Sequence, residues 1–215
     1  MPVSVLAALG ADPCTSDAAR IGRSAACFNV ALVHDGRTAL QAQVWTTNRT
    51  EGPEHQDPNP PSVPSPTDLK SIEEHLPPGT PVHPFWAHFE TRPVRFWELG
   101  ESDPRGAVME TWYRQRDASP VSDPFLNCAR ALVLIDTVPW PTFDLSRNPR
   151  PTYVAPSLDL TVWFHDLPGG ADWLLVEGHA NQSRAGLIHG GARVWSEDGR
   201  LLASGGSQLL VVDRR

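Results

Sequence analysis

Few residues in this chain combine a type and a setting that could do chemistry, and Asp136 is foremost among them. It stands in L-I-D-T-V, in the last turn of a helix read over FLNCARALVLIDTV (125–138), which is apolar almost all round and should be buried. The negative end of a helix dipole and an apolar setting both work against an ionised carboxylate. A carboxylate so placed suits a base that takes a proton from water. The competing reading is a helix-end Asp that caps a backbone group or faces solvent. Other chemistries lack their residues. No G-x-S-x-G elbow or paired His accompanies a serine, so no covalent serine nucleophile is expected. His165, His179 and His189 lie at strand positions without ligand spacing, and packing or surface roles fit them. Trp97, Trp112, Trp163 and Trp195 alternate with polar residues in strands and read as core or sheet face. There is no Gly-rich phosphate loop.

Composition narrows the classes further. The formal net charge is −7 over 215 residues with no basic block, which argues against nucleic acid or an anionic membrane surface as partner. Three scattered cysteines, Cys14, Cys27 and Cys128, form neither a disulfide framework nor a C-x-x-C pair, so no metal or redox cofactor is implied. The odd count fits a reducing compartment. The first residues, MPVSVLAALGADPC, lack a basic n-region and a full h-region, and no stretch approaches the length of a membrane span. A cytoplasmic protein without membrane insertion is the expectation.

The elements that must position Asp136 follow from local pattern. Between Pro53 and Pro84 lie ten prolines, which exclude a helix interior or central strand. An extended connector is expected there, with a helical turn over TDLKSIEEH (67–75) capped by Thr67 or Asp68. Before it, CFNVALVHDGRTALQAQVWTT (27–47) alternates about Asp35-Gly36, a hairpin signature. After it, 88–99 and 107–117 read as strands. Ser122-Asp123-Pro124 starts the helix, with Asp as N-cap and Pro at N1, and Pro139 and Pro141 stop it. Strand segments follow at 157–166, at 173–197 with a break near 181–186, and at 201–213, with a second turn at Asp198-Gly199. One apolar helix wrapped by an antiparallel sheet is a hotdog arrangement, of α+β class.

An internal repeat extends this. VALVHDGRTALQA (30–42) and ARVWSEDGRLLAS (192–204) share strand, D-G-R turn and strand, each after a short Arg/Gly/Ser element. Two tandem hotdogs are implied: a partial N-terminal repeat over 1–50, a connector over 51–84 and a complete hotdog over 85–215. The first repeat has only about 34 residues before its turn against roughly 110 in the second, and is expected to lack its opening strands and central helix.

Four motifs now resemble a known family in order along the chain. SLDLTVWFH (157–165) is similar to a strand of the type II acyl-CoA thioesterases, the TesB-like double-hotdog family. GPEHQ (52–56) with PPSVPSP (60–66) resembles their connector, TRPVRF (91–96) the opening strand of their second hotdog, and WSEDGRLLASGGSQLL (195–210) their last hairpin. The resemblance implies hydrolysis of fatty acyl-CoA to free acid and CoA by a positioned water. Its site is an Asp from the helix, a Ser or Thr from the next strand and a Gln from the last strand. By position these are Asp136, Ser157 and Gln208. The family's Gln falls eight residues after the turn Gly. Here eight residues after Gly199 is Ser207, and nine is Gln208. Strand side chains alternate faces, so a β-bulge at Gly205-Gly206 is expected to turn Gln208 toward the site. Without it, Ser207 faces the site as a substrate-binding group. Arg184 is a candidate contact for a CoA phosphate, though a solvated Arg near a bend is the plainer reading. The partner would be an acyl-CoA substrate, and a partial repeat would favour a homo-oligomer. The alternative is a non-catalytic acyl-CoA-binding or assembly module, inactive through truncation of the N-terminal repeat.

Overall fold

A computed structural model of the chain describes residues 14–96, 106–116, 123–147, 149, 151–170 and 172–213. Trp97 and Ser122, and the strand readings beyond 96 and 116, lie outside these. The chain divides into two compact units, 2–57 and 58–215.

The first unit is a three-stranded meander of β1 (Cys14–Ile21), β2 (Ala25–His34) and β3 (Arg37–Thr47), in that order. At its second turn Asp35 and Gly36 both have positive φ, 49° and 71°, the geometry that Asp-Gly tolerates in a two-residue hairpin. Phe28 lies opposite Val44 and Leu32 opposite Leu40, so one sheet face is apolar. β1 is exposed at every position and shows no apolar alternation in CTSDAARI; pairing with β2 makes it a strand, so its pattern did not announce it.

The second unit holds a six-stranded sheet: β4 (Phe89–Pro93), β5 (Val108–Gln115), β8 (Trp173–Arg184), β9 (Leu187–Ser196), β10 (Leu201–Leu210) and β7 (Thr161–Phe164), in that spatial order. Every one of these ladders is antiparallel. A short pair, β6 (Tyr153–Val154) and β11 (Val212–Asp213), flanks it. Helices α2 (Pro124–Thr137) and α3 (Pro139–Leu145) pack on one face, giving the hotdog arrangement. Ala131, Leu134, Ile135 and Val138 recur at helical spacing and meet Val176 and Val194, all at most 1% exposed. Each such large side chain contributes about 1.5–3 kcal/mol by leaving water.

The two meanders correspond strand for strand. β1–β3 and β8–β10 each carry a register shift shortly before the first turn, between Ala18 and Arg20 and between Ala180 and Gln182. The second copy turns at Gly199, φ 83°.

Two local expectations are corrected. Asp123 caps α2 as expected, accepting from Phe125 N at 2.8 Å and Leu126 N at 3.2 Å. α2 also ends before the prolines, at Thr137, and a second helix starts at once. Val138 keeps helical φ and ψ, and Thr142 N donates to its carbonyl at 3.1 Å. Pro139 and Pro141 fall in the first turn of α3, where a missing N–H costs nothing. However, α2 is not buried throughout, because Phe125 and Leu126 in its first turn project to solvent at 79% and 64% exposure. In the connector the caps are Ser65, before a 3-10 turn over Pro66–Asp68, and Ser71, before α1 (Ile72–His75); neither Thr67 nor Asp68 serves. Ser71 N donates to Glu74 at 2.7 Å, half of a capping box.

The proline-rich run is anchored by side chains of the sheet's outer face. Val63 and Leu69 pack on Trp112, Trp173, Leu175 and Trp195. Trp112 Nε1 donates to Pro64 O at 3.1 Å, and Arg92 Nη1 donates to Pro66 O at 3.0 Å and Leu69 O at 2.6 Å. Prolines leave carbonyls without matching N–H groups, and indole and guanidinium donors satisfy them.

Candidate active site

The site is built where the helix junction lies closest to the sheet. Glycines make that approach possible: a Cβ on Gly178 would stand 2.3 Å from Val138 Cγ1, and one on Gly190 would stand 2.7 Å from Pro139 Cβ. The two glycines sit on neighbouring strands, so residues 138 and 139 settle across β8 and β9. Asp136 is half-buried, one turn before Pro139. It stands in the last turn of α2, as the sequence implies, since α2 ends at Thr137 with Val138 as C-cap.

Ser157 reaches the same region through an edge contact. It forms an antiparallel bridge with Leu209 of β10. Leu158 N donates to Gln208 O at 2.7 Å and Leu210 N to Pro156 O at 3.0 Å. Partners in register point the same way, and Leu209 is 1% exposed against the helix side. Ser157 therefore shares the helix-facing side of the sheet and is half-buried there.

The expected bulge at Gly205-Gly206 is absent, and Gln208 is corrected accordingly. Pairing of β10 with β9 runs unbroken from Ala203 to Leu210, and its one irregularity lies between Leu201 and Ala203. Leu202 and Ala203 are both buried as a result, and alternation resumes from there. Ser207 falls on the helix-facing side at 2% exposure, while Gln208 is exposed on the other. Gln208 contributes through its backbone, its N–H donating to Asp159 Oδ1 at 2.7 Å. Asp159 is a residue the sequence reading passed over. Its signal was present, as the Asp of S-L-D, and its carboxylate ties the Ser157 segment to β10.

The other candidates are dispersed. Arg184 is exposed beside the Ala185-Gly186 turn, whose residues have φ of 51° and 79°. It pairs with Leu187, which pairs with Leu210, beside Pro156. Three strand spacings of about 4.8 Å thus separate it from the Ser157 segment. His165 is exposed and its Nε2 lies 2.8 Å from Ser204 Oγ. His179 stands on the outer face in register with Gly191, where burial pushes its imidazole below the usual value, helped by the positive charge of Arg193. A cleft of about 390 Å³ lined by Ser71, Glu73, Glu90, Arg92 and Arg116 lies where α1 meets β4, and its charged groups already pair with one another. Among the described residues no group of three His, Cys, Asp or Glu could hold a metal ion, and no helix is long and apolar enough to cross a membrane.

Comparison with known proteins agrees with this architecture. A crystal structure of an acyl-CoA thioesterase II, TesB2, from Mycobacterium marinum superposes with a TM-score of 0.72 at 21% identity, covering 94% of this chain and 73% of that one. A conserved hot dog fold protein of unknown function from Alicyclobacillus acidocaldarius gives 0.73 at 22%, covering 94% and 74%. A tesB protein from Mycobacterium avium subs paratuberculosis gives 0.72 at 18%, covering 93% and 71%. These likenesses establish the hotdog fold. No curated protein sequence matches the chain. The family model of the acyl-CoA thioesterase C-terminal domain matches residues 60–212, more than half of the chain, and the protein therefore belongs to this TesB-like family of hotdog thioesterases.

Proposed function

We propose that the protein hydrolyses fatty acyl-CoA thioesters, with Asp136 as the base and Ser157 as a hydroxyl that orients the water. The carboxylate of Asp136 takes a proton from water as its oxygen attacks the thioester carbonyl carbon. The C–S bond then breaks, and the departing CoA sulfur receives that proton back from Asp136, leaving free acid and CoA. Backbone N–H groups near the helix would polarise the carbonyl oxygen in the transition state. Arg184, a few strand spacings from Ser157, would meet a CoA phosphate as a charge-assisted donor.

The observation that supports this reading is the Ser157–Leu209 bridge, which puts a hydroxyl on the side of β10 against which the helices pack. The test is release of free CoA from a panel of acyl-CoAs of different chain length by wild type, Asp136→Ala and Asp136→Asn. General-base loss lowers rates by about 10²–10⁴-fold, and a fall of that size with the fold intact is expected for both variants. Folded wild-type protein that releases CoA from no chain length would overturn the proposal.

A further inference from the structure

We infer that Ser207, not Gln208, supplies the polar contact from the last long strand, its Oγ holding the water that attacks the thioester; this rests on the thioesterase reading above. Ser207 is 2% exposed, and its Oγ finds no hydrogen-bond partner among the described residues. A buried hydroxyl left unpaired costs roughly 1–3 kcal/mol, so a fold that retains one leaves a donor and acceptor available to something not in the chain.

Its surroundings say what that would be. Ser207 pairs with Gly190, whose missing side chain makes the room that Pro139 fills. Pro139 opens α3 three residues after Asp136, which stands in the last turn of α2. Two residues along β10 from Ser207, Leu209 faces Ser157 across the bridge. Ser207 and Ser157 thus lie on one sheet face, about one residue pair apart, on the side against which the helices pack. A hydroxyl donates one hydrogen bond and accepts others. Two hydroxyls and a carboxylate are together enough to orient both protons and a lone pair of one water. Gln208 is excluded by parity: its side chain projects from the opposite face, and its backbone is engaged with Asp159 and Leu158.

The inference carries a signature that a structural serine would not produce. Because the hydroxyl has no partner among the described residues, Ser207→Ala should unfold at the same or a higher urea concentration than wild type. The same variant should lose at least tenfold in kcat with KM changed less than threefold, and Ser207→Thr, which keeps a hydroxyl, should recover part of the loss. CoA release and urea unfolding would be measured on the full chain for Ser207→Ala, Ser207→Thr, Gln208→Ala and Asp136→Ala. Wild-type hydrolysis that depends on Asp136 but survives Ser207→Ala would overturn this inference and leave the thioesterase reading standing. A large loss in Gln208→Ala with none in Ser207→Ala would do the same. Absence of hydrolysis in folded wild type would overturn both.

Discussion

Gly178 of β8 lies directly beneath Val138 at the junction of α2 and α3, so closely that a Cβ there would come within 2.3 Å of Val138 Cγ1 and 2.7 Å of Thr142 Oγ1. The helix rests on the sheet at this point because one strand has no side chain. Gly178→Ala should therefore destabilise the protein by about 1–3 kcal/mol through overpacking, and Gly178→Val by more. Urea unfolding measures this; an unchanged midpoint for Gly178→Ala would show that the helix can lift without cost.

The connector is held by donors from the sheet, chiefly Arg92. Arg92 bridges Glu90 and the carbonyls of Pro66 and Leu69. Arg92→Ala removes charge-assisted hydrogen bonds worth about 1.5–3 kcal/mol each before rearrangement. Amide exchange in the segment around Val63 to Leu69 should then quicken by tenfold or more, while exchange in β8 and β9 stays slow. Equal protection in the variant would mean that apolar packing of Val63 and Leu69 suffices alone.

Acid should weaken the same region. Burial works to raise the Glu90 carboxyl, but hydrogen bonds and charges from Arg114 and Arg92 outweigh it and hold the group below its usual range. A carboxylate with a depressed native value contributes its full stability above the unfolded value of about 4.3 and loses it as pH falls through the native value. The unfolding free energy of wild type should fall below about pH 4.3 more steeply than that of Glu90→Gln. Parallel pH profiles would show that Glu90 is not the responsible group.

His179 acts in a higher window with the same sense. Burial disfavours its imidazolium in the native state, so the unfolded chain binds the proton more readily. Stability from this residue is complete above the unfolded value of about 6.5 and declines as pH falls below it. Replacing His179 by Gln should flatten the stability profile between about pH 6.5 and 5. A profile unchanged by the substitution would contradict this.

The cysteines should differ sharply in reactivity. Cys14 is exposed, Cys27 and Cys128 are buried, and burial pushes the Cys128 thiol above its ordinary value. A thiol reagent should label Cys14 in native protein and reach the other two only on unfolding. Rapid native labelling of Cys128 would require α2 to open frequently.

Much of this protein was legible locally, because the physics concerned was local. Asp35-Gly36 and Asp198-Gly199 announce turns through the φ values they tolerate, and Asp123-Pro124 announces a helix start through one acceptor and one missing donor. The repeated D-G-R hairpins point to two related meanders, and both carry a register shift shortly before the first turn. What only the tertiary structure decided depends on partners distant in sequence. Pro139 and Pro141 read as a stop, and α2 does end at Thr137, yet a second helix starts at Pro139 and buries Thr142 and Phe143 against the sheet. The proline run reads as a free connector, yet Trp112 and Arg92 supply the donors its carbonyls lack. Above all, which of Ser207 and Gln208 faces the helix turns on where one extra residue enters β10. That place, between Leu201 and Ala203, is set by pairing with β9 and packing against the helix, and no residue of β10 specifies it alone.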